Sequence, residues 1–150
     1  MELTNVNCPK ALEHVKAHKA LAAISEKAIK EVTYHLRHSS EWMLRMGDGT
    51  EESHNRMQNA VNELWVFTGE FFDADDVDTL MHTDGIAPDL TSIKTKWEKH
   101  VKEILADATI ECPTGTYFQK GSREGRHSEH LGFMLAEMQY LQRSYPDAKW

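Results

Sequence analysis

Residues 21–47 read LAAISEKAIKEVTYHLRHSSEWMLRMG, with no proline and no glycine before Gly47. Leu21, Ile24, Ala28, Val32, His35, Ser39, Met43 and Met46 recur at spacings of three and four, the period of one helical face. Pro9 can open a helix, so the spacing predicts one long helix from about Lys10 to Gly47. MGDGTEES, residues 46–53, stops it with glycines and turn formers. A second helix is expected from about Ser53 to Phe71, with Met57, Val61, Leu64, Trp65 and Phe67 as its apolar positions.

The chain continues in the same manner. FFDADDVDTLMHTDGIAPDL, residues 71–90, reads as a short helix between loops. Asp75 is its expected cap, with Asp78 in the first turn, where a negative charge suits the helix dipole. Asp89 or Thr91 opens another helix to about Ala108. IECPTGTYFQKGSREGR, residues 110–126, holds Pro113 and three glycines and is expected to be a loop. The last helix is expected from about His127 to Tyr145, closed by Pro146. No stretch alternates apolar and polar residues as a strand would, and no repeat is visible. The fold class is therefore all-α, a helical bundle whose working site would lie between facing helices.

Size and composition narrow the function. The chain has 150 residues, enough for one domain with a core, and is read as a single helical domain over 1–150. Its net charge of −7 argues against nucleic acid as a partner, because phosphates would be repelled by the average surface. No apolar run approaches the ~20 residues that span a bilayer, which argues against a membrane role. The N-terminus, MELTNVNCPKALEHVK, lacks a signal-peptide pattern, so a cytoplasmic location is expected. Cys8 and Cys112 form neither a disulfide framework nor a CxxC pair.

The polar residues inside the apolar stripes are the candidate site. Glu31 and His35 fall beside Ile24, Ala28 and Trp42 on the first helix. On the last helix His127, His130 and Glu137 flank the stripe of Met134, Met138 and Leu141. Buried histidine and glutamate are costly unless paired, hydrogen-bonded or metal-bound. Di-iron carboxylate bundles use Glu-x-x-His pairs aimed inward. Here Glu31-Val32-Thr33-Tyr34 has tyrosine where that motif needs histidine, and His35 lies about 100 degrees further round the helix. The spacing favours a network of hydrogen bonds and ion pairs over a metal centre. The rival is a free-standing, shortened ferritin-like metalloprotein that uses these side chains on iron or manganese.

Other motifs carry less. DADDVD, residues 73–78, lacks the glycine and glutamate of a calcium loop and reads as a helix cap or solvated acidic face. Lys120, Arg123 and Arg126 gather ahead of the last helix, but the spacing of a Walker loop is absent, and a basic surface loop is the default. No Gly-x-Ser-x-Gly elbow supports a hydrolase.

LAAISEKAIKEVTYHLRHS, FFDADDVD and GRHSEHLGFMLAEMQYLQRSYPDAKW together resemble the PaaC family, the structural subunits of bacterial phenylacetyl-CoA epoxidase, a ring 1,2-monooxygenase. The resemblance runs from about Leu21 to Trp150, and the long signature from His127 to Gln142 is its most specific part. It implies a ferritin-like bundle that has lost the di-iron ligands of the related catalytic subunit, PaaA, and pairs with that subunit in larger assemblies; self-association is a further expectation. The implied complex epoxidises the aromatic ring of phenylacetyl-CoA with oxygen and NADPH. Di-iron would then sit in the catalytic subunit, and FAD and a 2Fe-2S centre in a reductase, with no cofactor on this chain. The family also implies contact with the coenzyme A portion of the substrate after FFDADDVD, at Thr79, Leu80 and Met81. MELTNVNCPKALEHVKAHKA, residues 1–20, does not match the family's earlier helices, so a truncated or shortened member with a partial bundle is expected.

Overall fold

The computed structural model describes residues 19–149. They form five α-helices: α1 (Lys19–Gly47), α2 (Glu51–Leu64), α3 (Asp76–Thr83), α4 (Leu90–Asp107) and α5 (His130–Ser144). Short 3₁₀ turns lie at Trp65–Phe67, Gly69–Phe72 and Ser122–Glu124. No strand occurs among the described residues. The fold class is all-α, in keeping with a ferritin-like helical bundle. The first turns expected for the long helix, residues 10–18, lie outside the described residues.

The chain forms two compact units, Met1–Phe118 and Gln119–Trp150. In the first, α1 packs against α2 and α4. The turn between α1 and α2 is cinched by side chains. Thr50 caps α2 by accepting from the Ser53 N–H at 3.2 Å, and the Ser53 hydroxyl donates back to the Met46 carbonyl at 2.8 Å. The α2 helix ends seven residues short of Phe71 because the chain tightens into 3₁₀ turns from Trp65 onward. These turns bring Trp65 and Phe72 onto Trp97 of α4, with ring centroids 5.8 and 5.2 Å apart.

The end of α4 organises the core. Thr109 takes a left-handed φ of 59°, the Ile110 N–H reaches the Leu105 carbonyl at 2.9 Å, and the Thr109 N–H reaches that of Ala106 at 3.0 Å. This is a Schellman ending, and it turns Ile110 back beside Leu105. Leu105, Ala108 and Ile110 are buried there, with Met43, Leu44, Met57, Val61 and Trp65 packed around them. Gly47 closes the core from the α1 side: a Cβ at this position would meet the Ala108 carbonyl and stand 2.9 Å from the Ala108 Cβ. The side-chain amide of Gln58 on α2 exchanges two hydrogen bonds with the Glu111 backbone, at 2.8 and 3.0 Å, and ties down the chain beyond α4.

In the second unit, left-handed Gly121 (φ 102°) and Gly125 (φ 85°) bracket the 3₁₀ turn. The Arg126 N–H is taken by the Gly121 carbonyl at 2.8 Å, which fixes the chain away from helical geometry just before His127. The helix therefore starts at His130, and not at the His127 that the sequence pattern indicates.

Candidate functional site

Glu31 and His35 of α1 do not lie inward among the described residues of their unit. The Glu31 carboxylate and the His35 ring nitrogen lie 3.9 Å apart across one turn, with side chains 76% and 54% exposed. Among the described residues this pair lies on the surface of α1. The stripe is one face of the helix, but Leu21, Ile24 and Tyr34 on that part of α1 are themselves exposed, so no described residue of the unit covers the pair. Tyr34 meets His35 edge-on at 6.1 Å and stacks on His38 at 5.9 Å.

That stack belongs to a row which reasoning from sequence missed. Tyr34, His38 and Trp42 follow one another at four-residue spacing, with Arg37 over the Tyr34 ring at 5.6 Å and Arg45 over the Trp42 ring at 5.7 Å. The i, i+4 repetition of rings with arginine three residues after the first and last was its visible signal.

In the second unit His127, His130 and Glu137 are exposed, and His127 precedes the helix. Among the described residues no three His, Cys, Asp or Glu side chains converge as metal ligands. Tyr34 stands where a Glu-x-x-His pair needs its imidazole, which does not suit a di-iron ligand set on α1.

Thr79, Leu80 and Met81 all lie on α3. Asp75 caps this helix by accepting from the Val77 and Asp78 N–H groups, each at 2.9 Å, and the Asp78 side chain accepts from the Asp75 N–H at 3.1 Å. Thr79 donates its hydroxyl to the Asp75 carbonyl at 2.9 Å. Leu80 points outward and is 54% exposed. The Met81 carbonyl accepts from Ile86 and Ala87 at 2.9 and 3.0 Å, which folds the following loop back onto α3. His82 Nδ1 lies 3.1 Å from the Ala87 carbonyl and pins the same loop.

Beside α3 is a cleft of about 210 Å³, lined by Ala74, Asp78, Thr79, His82, Pro88, Asp89 and Leu90. Asp89 caps α4, and the backbone N–H groups of Ser92 and Thr91 hold its carboxyl below the usual carboxylate value. Two carboxylates and no Lys or Arg line this cleft.

Over residues 6–150 the sequence matches the family described as phenylacetic acid catabolic protein. The chain belongs to that family. The matched stretch begins upstream of Leu21, where the motif resemblance starts. The chain is also 49% identical over 130 residues to the C subunit of 1,2-phenylacetyl-CoA epoxidase from Escherichia coli (strain K12). That alignment covers 87% of this chain and 52% of the relative, so the chain spans about half the length of the curated relative it matches.

Proposed function

We propose that this chain serves as a non-catalytic structural subunit of a 1,2-phenylacetyl-CoA epoxidase in aerobic phenylacetate degradation, in the cytoplasm. It pairs with the di-iron catalytic subunit and leaves redox chemistry to that subunit and its FAD, 2Fe-2S and NADPH-dependent reductase. The observation that carries this reading is the 49% identity to the Escherichia coli epoxidase relative. Two features support it. Tyr34 stands where a Glu-x-x-His ligand set needs its histidine. The α5 helix exposes Phe133, Met134, Met138, Tyr140 and Leu141, each at least half exposed, and contiguous apolar surface of this kind suits a protein interface.

The acyl-CoA contact falls at α3. Thr79 offers its side chain to the acidic cleft and Leu80 an apolar surface beside it, which suits the neutral pantetheine arm and not the phosphates. The test is hydrogen exchange of this chain with and without the catalytic subunit, then with coenzyme A added to the pair. Protection of α5 on pairing, and of α3 on adding coenzyme A, is the expected result. Unchanged exchange in α5 rejects the pairing, and unchanged exchange in α3 rejects the acyl-CoA contact.

A further inference from the structure

The outer face of α1 carries a pattern that reads alike from both ends. His38 is its centre, with Tyr34 and Trp42 four residues to either side and Glu31 and Arg45 seven residues to either side. Steps of four and seven residues return to the same side of a helix, so these side chains share one strip about 20 Å long. The strip is open: Tyr34 is 53% and Trp42 47% exposed, and Glu31, His38 and Arg45 are exposed as well. Leu36 and Met43, nearly opposite His38 round the helix, are the residues that line the seam with α4. The rings already stand in order, with Tyr34 stacked on His38 at 5.9 Å and His38 edge-on to Trp42 at 6.3 Å.

We propose that this strip is a docking surface for a second copy of the chain, with the two α1 helices antiparallel about a two-fold axis at His38. In a two-fold contact, if one residue meets another, the second meets the first in return. An axis at His38 therefore sets Tyr34 of each copy opposite Trp42 of the other, and Glu31 opposite Arg45. The first opposition is an aromatic pair and the second a carboxylate facing a guanidinium, and both are attractive. Charge selects this occupant. Together with Arg37 and Glu41, which lie 4.0 Å apart along one edge, the strip holds two arginines and two glutamates. It is thus balanced in a chain of net charge −7. A strongly acidic or basic partner would meet a like charge somewhere on it, whereas a second copy brings the opposite sign to each end. Trp, Tyr and Arg are also the side chains that anchor protein interfaces.

The strip lies on α1, while pairing with the catalytic subunit is assigned to α5, so the inference does not depend on that role. The test is sedimentation equilibrium of the full chain and its charge-reversed variants. Reversible dimerisation is expected, with a dissociation constant in about the micromolar to millimolar range for so small a contact. No larger species should form, because a two-fold contact closes on itself. Glu31→Arg and Arg45→Glu should each weaken the dimer about tenfold or more, by setting like charges opposite each other. The two changes combined should restore it to within about threefold of the parent, since the pair is re-formed with its ends exchanged. Glu31 and Arg45 lie about 21 Å apart along one helix, so such rescue reports a contact between copies and not within one. A monomer at every concentration, growth past the dimer, single reversals without effect, or a combined variant no tighter than the single ones would each overturn the proposal. If a single reversal fails to fold, Trp42→Ala decides in its place: it should weaken the dimer about tenfold, and an unchanged dimer would overturn the proposal.

Discussion

At the scale of single residues, capping aspartates carry the clearest consequences. The Asp89 carboxylate accepts from Ser92 and Thr91 at the start of α4, and its folded value is lowered. A lowered value means the unfolded chain binds the proton more readily, so the stabilisation is present above the ordinary carboxylate value of about 3.9 and is lost as pH falls through the folded one. The protection factors of the Thr91 and Ser92 amides, measured relative to their intrinsic exchange rates, should therefore fall in acid below that value. Asp89→Asn should keep the cap and remove the pH dependence, because asparagine caps about as well without a charge to titrate. Asp75→Ala should cost about 1 kcal/mol and loosen α3 first, as residue-resolved hydrogen exchange would register. Asp75 and Asp78 were legible in the sequence because a cap needs only local spacing. Exposure was not legible at Glu31 and His35, since periodicity identifies a face without saying what covers it. Glu31→Ala should accordingly change the unfolding free energy of the isolated chain by no more than about 0.5 kcal/mol, as expected for an exposed surface side chain.

At the scale of elements, the fold of the first unit turns on how α1, α2 and α4 are fastened. Gly47 is at the crossing of α1 with the end of α4, where two effects of Gly47→Ala oppose each other. Alanine gains about 0.5–1 kcal/mol of helix propensity over glycine. The new Cβ would press on the Ala108 carbonyl and Cβ, and overpacking of that kind costs about 1–3 kcal/mol. Overpacking wins, so the variant should unfold at lower urea concentration than the parent. The Gln58 clamp on the Glu111 backbone acts separately: Gln58→Ala should cost about 1 kcal/mol and speed exchange at the Glu111 amide. Neither fastening is visible in the sequence. Gly47 reads there as a stop signal and is a contact as well, and a glutamine that bonds to backbone 53 residues away leaves no local pattern. Helix existence and order were legible because long 3.6-period stripes are. The late start of α5 was not, because it depends on the left-handed glycines and one backbone hydrogen bond before His127.

At the scale of the whole molecule, the balance between buried and exposed apolar surface is the decisive fact. Among the described residues the buried hydrophobics are Leu105, Ala108 and Ile110, while large side chains on α1 and α5 remain exposed. With so few buried anchors, Leu105→Ala should be severe, about 2–5 kcal/mol, with loss of cooperative unfolding in urea. A partner that covers the exposed faces would stabilise the chain by mass action, and its melting temperature would then rise with partner concentration. The central claim is a structural subunit that assembles with a metal-bearing partner, and it is tested most directly by co-expression with the catalytic subunit, followed by size-exclusion chromatography with metal analysis of every peak. One shared peak, in which iron tracks the catalytic subunit, is the expected result. This chain eluting alone with stoichiometric iron or manganese would contradict that claim and establish the free-standing ferritin-like metalloprotein instead.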